Sequence, residues 1–225
     1  MFKSKRRPIV VPQSEHLRLV GTLAMLWGND EFDIPPVEQT SLIADIGLHD
    51  RGYGYLDTAS IGEMDDSEWF PIARRTFFMP CSDVVADTIV KYHFRRLAGH
   101  SNTEGRKGLY AEFSDALEKQ LKENKLSKEL FDRIDRITDL CDSLSFSFCF
   151  DIPASGEISI FPRYDEDREI TIKYHVEDGV LSTGPWPFSV NSYEGYLLAY
   201  KSDGYPVTLD PVILTYQLKR LAIKE

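Results

Sequence analysis

The hydrophobic period changes once along this 225-residue chain, near Pro153, and that change constrains the fold more than any other feature. Before it, apolar residues recur at helical spacing, as in Leu19, Val20, Leu23 and Leu26, or in Ile134, Ile137, Cys141 and Leu144. Such stripes predict amphipathic helices. After it, EISIFPR, EITIKYHVED and GYLLAYKS alternate or are rich in β-formers between glycine and acidic turns, which predicts strands. DPVILTYQLKRLAI reads equally as a last strand or a helix. The expected class is α+β, with a helical core over residues 13–150 followed by a small antiparallel β lobe over 151–225. No flexible linker divides the two, so the lobe is expected to pack on the helices.

Residues 8–11 (PIVV) read as a short strand. The helix after it has Ser14 available as N-cap, which puts His16 in the first turn. Beyond the acid- and proline-rich NDEFDIPP, a second helix runs into His49 and Asp50 and stops at Gly52 and Gly54. A short helix over 67–80, interrupted by Pro71, feeds a stronger one carrying His93 and His100. These two are seven residues apart and project from similar sides, provided Gly99 does not end the helix between them. Helices over 107–124 and 127–149 complete the core, and Asp142 lies inside the last, beside its apolar stripe.

Lysine and arginine total 26 against 36 aspartate and glutamate, a net charge of -10. That balance repels a phosphate backbone and argues against a nucleic-acid partner. The opening MFKSKRRPIVVP meets charge and proline before any apolar stretch develops, and no run of 18 apolar residues occurs, so neither a signal segment nor a membrane partner is expected. The basic KSKRRP stretch reads as a solvated terminus. Cys81, Cys141 and Cys149 lack CxxC spacing and read as reduced core thiols, which fits a cytoplasmic location.

Four of the five histidines fall in the helical part. Imidazole combined with carboxylate suits a divalent transition metal better than calcium or magnesium. Adjacent side chains on a regular helix point about 100° apart, so His49 and Asp50 can meet one ion only where a helix end lets the backbone turn. A single histidine in a helical protein is more often a hydrogen-bonded core group than a ligand, and spacing alone leaves both readings open.

EHLRLVGTLA resembles the first helix of the HD-domain superfamily, LHDRG its His-Asp motif, and LCDSLSFSFC the helix bearing its final aspartate, at separations of 33 and 92 residues. QSEHLRLVGTLAMLWGN and the later GPWPF extend the resemblance to an uncharacterised, bacterial-type branch of that superfamily with a C-terminal β lobe. The resemblance implies a metal-dependent phosphohydrolase-like core. Its ligands would be His16, His49, Asp50 and Asp142, with His93 and His100 where two-metal members add histidines, and its ion iron, manganese, zinc or nickel. One departure stands out: Arg51-Gly52-Tyr53-Gly54-Tyr55-Leu56 replaces the small residue, glycine and lysine that many of these hydrolases carry, which leaves the substrate open.

The implied activity is hydrolysis of a small phosphate ester or nucleotide by metal-activated water. In this reading Asp50 accepts the water proton, and Asp57 or His93 protonates the leaving group. Arg51, Lys91 and Arg95, with Arg96 as a further candidate, meet the phosphate of a small anionic substrate. Tyr53, with Tyr55 and Trp27, stacks a flat group. The same cations read as readily as charges paired with Asp83 or Asp87, and the aromatics as core. Trp186 and Phe188 are expected to close the lobe over the helices. Two other functions compete: a catalytically silent metal- or ligand-binding module, and a di-iron oxygenase that would need both His93 and His100. A homodimer is the base-rate expectation.

Overall fold

A computed structural model of the chain describes residues 1–57 and 60–221. Two short strands, β1 (Phe2–Lys3) and β2 (Ile9–Val11), precede six helices: α1 (Gln13–Leu26), α2 (Gln39–Ile46), α3 (Asp66–Phe77), α4 (Val84–Ala98), α5 (Glu104–Asn124) and α6 (Lys128–Phe150). The strands β3 (Ser155–Ile160), β4 (Ile170–Glu177), β5 (Val180–Gly184), β6 (Ser192–Lys201) and β7 (Pro211–Arg220) follow. The class is α+β, with the period change falling between α6 and β3. Pro211–Arg220 of the ambiguous last segment forms a strand that Asp210 precedes, and residues 222–225 of the lobe lie outside the described residues.

Helix starts follow capping chemistry. Asp65, Asp83, Thr103 and Ser127 each accept a backbone N–H from the first turn of α3, α4, α5 and α6. For α1 the expected cap differs. Ser14 lies inside the helix, Pro12 is the N-cap, and Asp57 from a distant loop accepts the Gln13 N–H at 2.8 Å. Pro12 has no side-chain acceptor, so a carboxylate from elsewhere satisfies the orphan donor. Pro71 does not interrupt α3; it costs one backbone bond near the start of a helix that Asp65 anchors.

The helix before His49 ends sooner than its apolar pattern implies. Gly47 caps α2, and residues 51–56 continue as a 3₁₀ turn. Close packing explains the glycines here. A Cβ on Gly47 would lie 3.3 Å from the Cα of Gly21, so α1 and α2 cross nearly backbone to backbone. A Cβ on Gly52 would fall 1.6 Å from Thr76 Oγ1 of α3.

The sheet has the order β1-β2-β6-β7-β5-β4-β3. It is mixed rather than wholly antiparallel, because β7 returns between β6 and β5 and runs parallel to β5, with Val180 opposite Gln217. It also recruits chain from before the helices: Ile9 pairs with Lys201, and Phe2 with Val11. The short strand read at residues 8–11 is β2, but its sequence carries no signal of the partner it pairs with. α6 is the common wall, burying Ile134, Leu140 and Leu144 in one continuous core with Leu181, Leu197 and Leu218 of the sheet. The Trp186–Phe188 segment closes against the end of α1, where Gly28 N–H donates to Pro187 O and Ser189 N–H to Leu26 O. Among the described residues no helix is long and apolar enough to cross a membrane. All three cysteines are free.

Candidate metal centre

Gln13, His16, Leu19, Val20 and Leu23 share the buried face of α1, so the spacing that makes the helix amphipathic also turns His16 inward. His49 and Asp50 sit on the tight turn between α2 and the 3₁₀ segment, where the backbone bends enough for both to face one point. Asp142 comes from α6, on a stripe that interrupts its apolar face at helical intervals: Asp135, Asp139, Asp142, Ser145 and Cys149. The crossing at Gly21 and Gly47 brings the first two elements together.

His16 Nε2 lies 3.4 Å from Asp142 Oδ1 and 3.8 Å from Asp50 Oδ2; His49 Nε2 lies 3.5 and 3.7 Å from the same two atoms. A tetrahedral ion with bonds of about 2.0 to 2.2 Å needs ligand–ligand edges of roughly 3.3 to 3.6 Å. The four histidine–carboxylate separations are thus close to the edges of a four-coordinate shell. Both imidazoles are fully buried, and neither Nε2 has a hydrogen-bond partner. Their other nitrogens are held. His49 Nδ1–H donates to Ile46 O at 2.8 Å. His16 Nδ1 is 2.8 Å from Ser145 Oγ, whose own hydroxyl proton points to His16 O at 3.2 Å, so here too Nδ1 carries the hydrogen. Two Nε2 lone pairs therefore face two carboxylate oxygens, and an unsatisfied buried acceptor is costly. A metal ion fits this donor set. Phe2 of β1 stacks on His16 at 4.4 Å between ring centroids and seals that side.

Electrostatics agree. Burial alone would raise the Asp50 carboxyl, but His49 and His93 beside it outweigh burial and hold it at about 2. Asp142 is likewise held well below its ordinary value against burial, chiefly by His49 and His16. Burial acts to lower His49, yet Asp50 and Asp142 raise it. Burial, with His49 beside it, lowers His93. Asp135, Asp139 and Asp142 crowd around the single guanidinium of Arg96, and Asp50 lies against His93 beside it, so this interior carries an excess of negative charge that a cation would offset.

His93 adjoins the cluster without joining the four. Its Nε2 lies 2.9 Å from Asp50 Oδ1, and its Nδ1 accepts from Arg96 Nη2 at 3.1 Å. His100 lies elsewhere, because α4 ends at Ala98 with Gly99 as cap and His100 is exposed beyond it. Arg51 and Lys91 both bind Asp87, at 3.1 and 2.6 Å, and Arg95 lies 3.7 Å from Asp132. The structure thus pairs these three expected phosphate-binding cations with acids, as it does Arg96 with Asp135 and Asp139. Asp57 is engaged at the start of α1. Tyr53 is buried, stacked on Phe94, and its hydroxyl accepts from Trp69 Nε1. Trp27 packs against Phe32 and Phe188, away from the histidines. The Tyr55 side chain lies outside the described residues.

Sequence reasoning assigned no role to Gln13 or to the acids flanking Asp142, and weighed Arg96 only as a phosphate-binding or surface charge. Gln13 Nε2 donates to Asp50 Oδ2 at 2.9 Å, which leaves Gln13 Oε1 buried and without a partner. Its position three residues before His16, on the same helix face, was the available signal. Arg96 stands one turn after His93, and the polar stripe of α6 was legible as a break in an apolar face. Arg96 and Asp139 also line a pocket of about 620 Å³ with His100, Tyr110, Arg136 and Phe161, so the centre's outer layer reaches an open cavity. Comparison of the chain with protein-family models, curated proteins and solved structures finds no match.

Proposed function

We propose that the chain is a metalloprotein of the HD-domain type that holds one divalent transition-metal ion on His16, His49, Asp50 and Asp142 and uses it to hydrolyse a small phosphate ester or nucleotide. The observation that carries this reading is the pair of buried, unpartnered Nε2 atoms facing two ionised carboxylates. An ion there would lower the pKa of a bound water and neutralise charge developing on a phosphoryl group. The surrounding residues supply the rest. Gln13 Nε2 and His93 Nε2 each hold one oxygen of Asp50, fixing the carboxylate's orientation. The free Oε1 of Gln13 is an acceptor for a proton-bearing group entering the site. Arg136, in the pocket behind Arg96, offers positive charge to an anionic substrate. Arg51, Lys91 and Arg95 are already committed to acids. Three free thiols fit a reducing, cytoplasmic setting.

The test is elemental analysis of protein purified without added metal or chelator, beside a His49→Ala, Asp50→Ala variant, followed by phosphate release from a panel of phosphomonoesters and nucleotides. One ion per chain in the wild type only, with phosphate release that the variant loses, supports the proposal. No ion after reconstitution with iron, manganese, zinc and nickel would refute it. A bound ion with no phosphate released would favour the catalytically silent module. Four candidate protein ligands around one ion, which would close its shell, and paired cations where a phosphate clamp was expected, lend that second reading its support. A di-iron oxygenase is not favoured, because His100 lies beyond the end of α4 and His93 is engaged at both nitrogens.

A further inference from the structure

The three interior histidines of the centre do not share one tautomer. His16 and His49 each have Nδ1–H committed to a neighbour and Nε2 free. His93 is reversed, and both of its contacts demand it. A guanidinium has no acceptor, so Arg96 Nη2, 3.1 Å from His93 Nδ1, must donate to a ring lone pair there. An ionised carboxylate cannot donate, so Asp50 Oδ1, 2.9 Å from His93 Nε2, must accept a ring proton. Arg96 is itself immobilised, with Nε on Asp135 at 3.2 Å and Nη1 on Asp139 at 2.6 Å.

His93 is otherwise placed as a ligand. Its ring centroid is 4.5 Å from that of His49, and one ligand atom each from His49, Asp50 and His93 fall within 4.8 Å of one another, a second set beside that of His16, His49 and Asp142. What withholds it is the proton on Nε2, and what keeps the proton there is Arg96. We propose that Arg96 is a positioning residue that sets how many ions this chain holds: by occupying His93 Nδ1 it keeps the ring proton on Nε2 and limits the centre to one ion. This rests on the metal-binding reading above. Without the lock, His93 Nε2 and Asp50 Oδ1 become free to hold a second ion.

The tautomer is read on metal-stripped protein carrying ¹⁵N-labelled histidine, by long-range ¹H–¹⁵N correlation with the five histidines assigned by single substitution. The expected wild-type pattern is Nδ1–H for His16 and His49 and Nε2–H for His93. In Arg96→Met, His93 should shift to Nδ1–H or to an exchanging mixture, and ions per chain should rise from one to two. Because that variant strands Asp135 and Asp139, a second one, Arg96→Met with Asp139→Asn, repeats the measurement in a charge-matched background. Nδ1–H on His93 in the wild type would overturn the lock whatever the ion count. So would a variant that loses the Nε2–H signature and still takes a single ion. A wild type that shows the Nε2–H signature but binds no ion would sink the metal-binding reading and the ion limit with it.

Discussion

Ion binding at the centre should appear as a pH-dependent gain in thermal stability that a single ligand substitution removes. A ligand that binds only the folded state, present at 100 times its dissociation constant, stabilises by about 2.7 kcal/mol. In a chain of this size each kcal/mol moves the melting temperature by roughly 2 to 4 °C, so the expected rise is about 5 to 11 °C. The sign with pH follows from His49, whose folded value lies above its ordinary one because Asp50 and Asp142 outweigh burial. In the metal-free protein the proton on His49 contributes stability that is fully present below about 6.5 and is lost as pH rises through the raised folded value. The ion needs that nitrogen unprotonated, so the metal-induced gain should be larger at pH 8 than at pH 6. The assay is differential scanning fluorimetry with and without zinc or manganese at both pH values, on the wild type and on His49→Asn. An equal shift in His49→Asn would locate the bound ion elsewhere, and a wild-type gain larger at pH 6 than at pH 8 would refute the proton-competition argument.

Asp45 is a carboxyl pushed up to about 7, first by burial and then by Asp83, so the native state favours its protonated form and stability falls as pH rises between about 4 and 7. Asp45→Asn should therefore stabilise by roughly 2 kcal/mol at pH 8, after discounting for partial solvation, and by almost nothing at pH 4; urea melts showing the same difference at both pH values would contradict this. Gly52→Ala would drive a methyl group into Thr76, whose Oγ1 lies 1.6 Å from the added Cβ, and should cost about 2 to 3 kcal/mol, partly recovered by Thr76→Ala in the same chain. A fully stable Gly52→Ala would mean that α3 and the 3₁₀ turn pack less closely than described.

The parts of this molecule legible in its sequence are those written by local periodicity. The stripe on α6, the inward face of α1 and the alternation in β4 each follow from which side of one element is apolar. The convergence of His16, His49, Asp50 and Asp142 was approached differently, through a resemblance of motif order, and the structure brings those four side chains together. What sequence could not supply is long-range partner choice. Nothing near Gln13 reveals that its N–H is met by Asp57, 44 residues on. Nothing near Arg51 or Lys91 decides that both settle on Asp87 rather than on a ligand. The sheet's composition was hidden for a similar reason, because strands of two and three residues take their identity from the partner they pair with.

That pairing has a temporal side. Ile9 meets Lys201 across 192 residues of chain. At about 5 to 20 residues per second of synthesis, β2 waits some 10 to 40 s for β6 to be made. Ile9, Val10 and Val11, all buried at the end, are exposed together for that interval. Every helix can form meanwhile from contacts close in sequence, but the strand behind the Phe2 seal on His16 has no sheet to join until the last quarter of the chain arrives. The side of the centre that Phe2 covers thus depends on a strand whose sheet partner is made last.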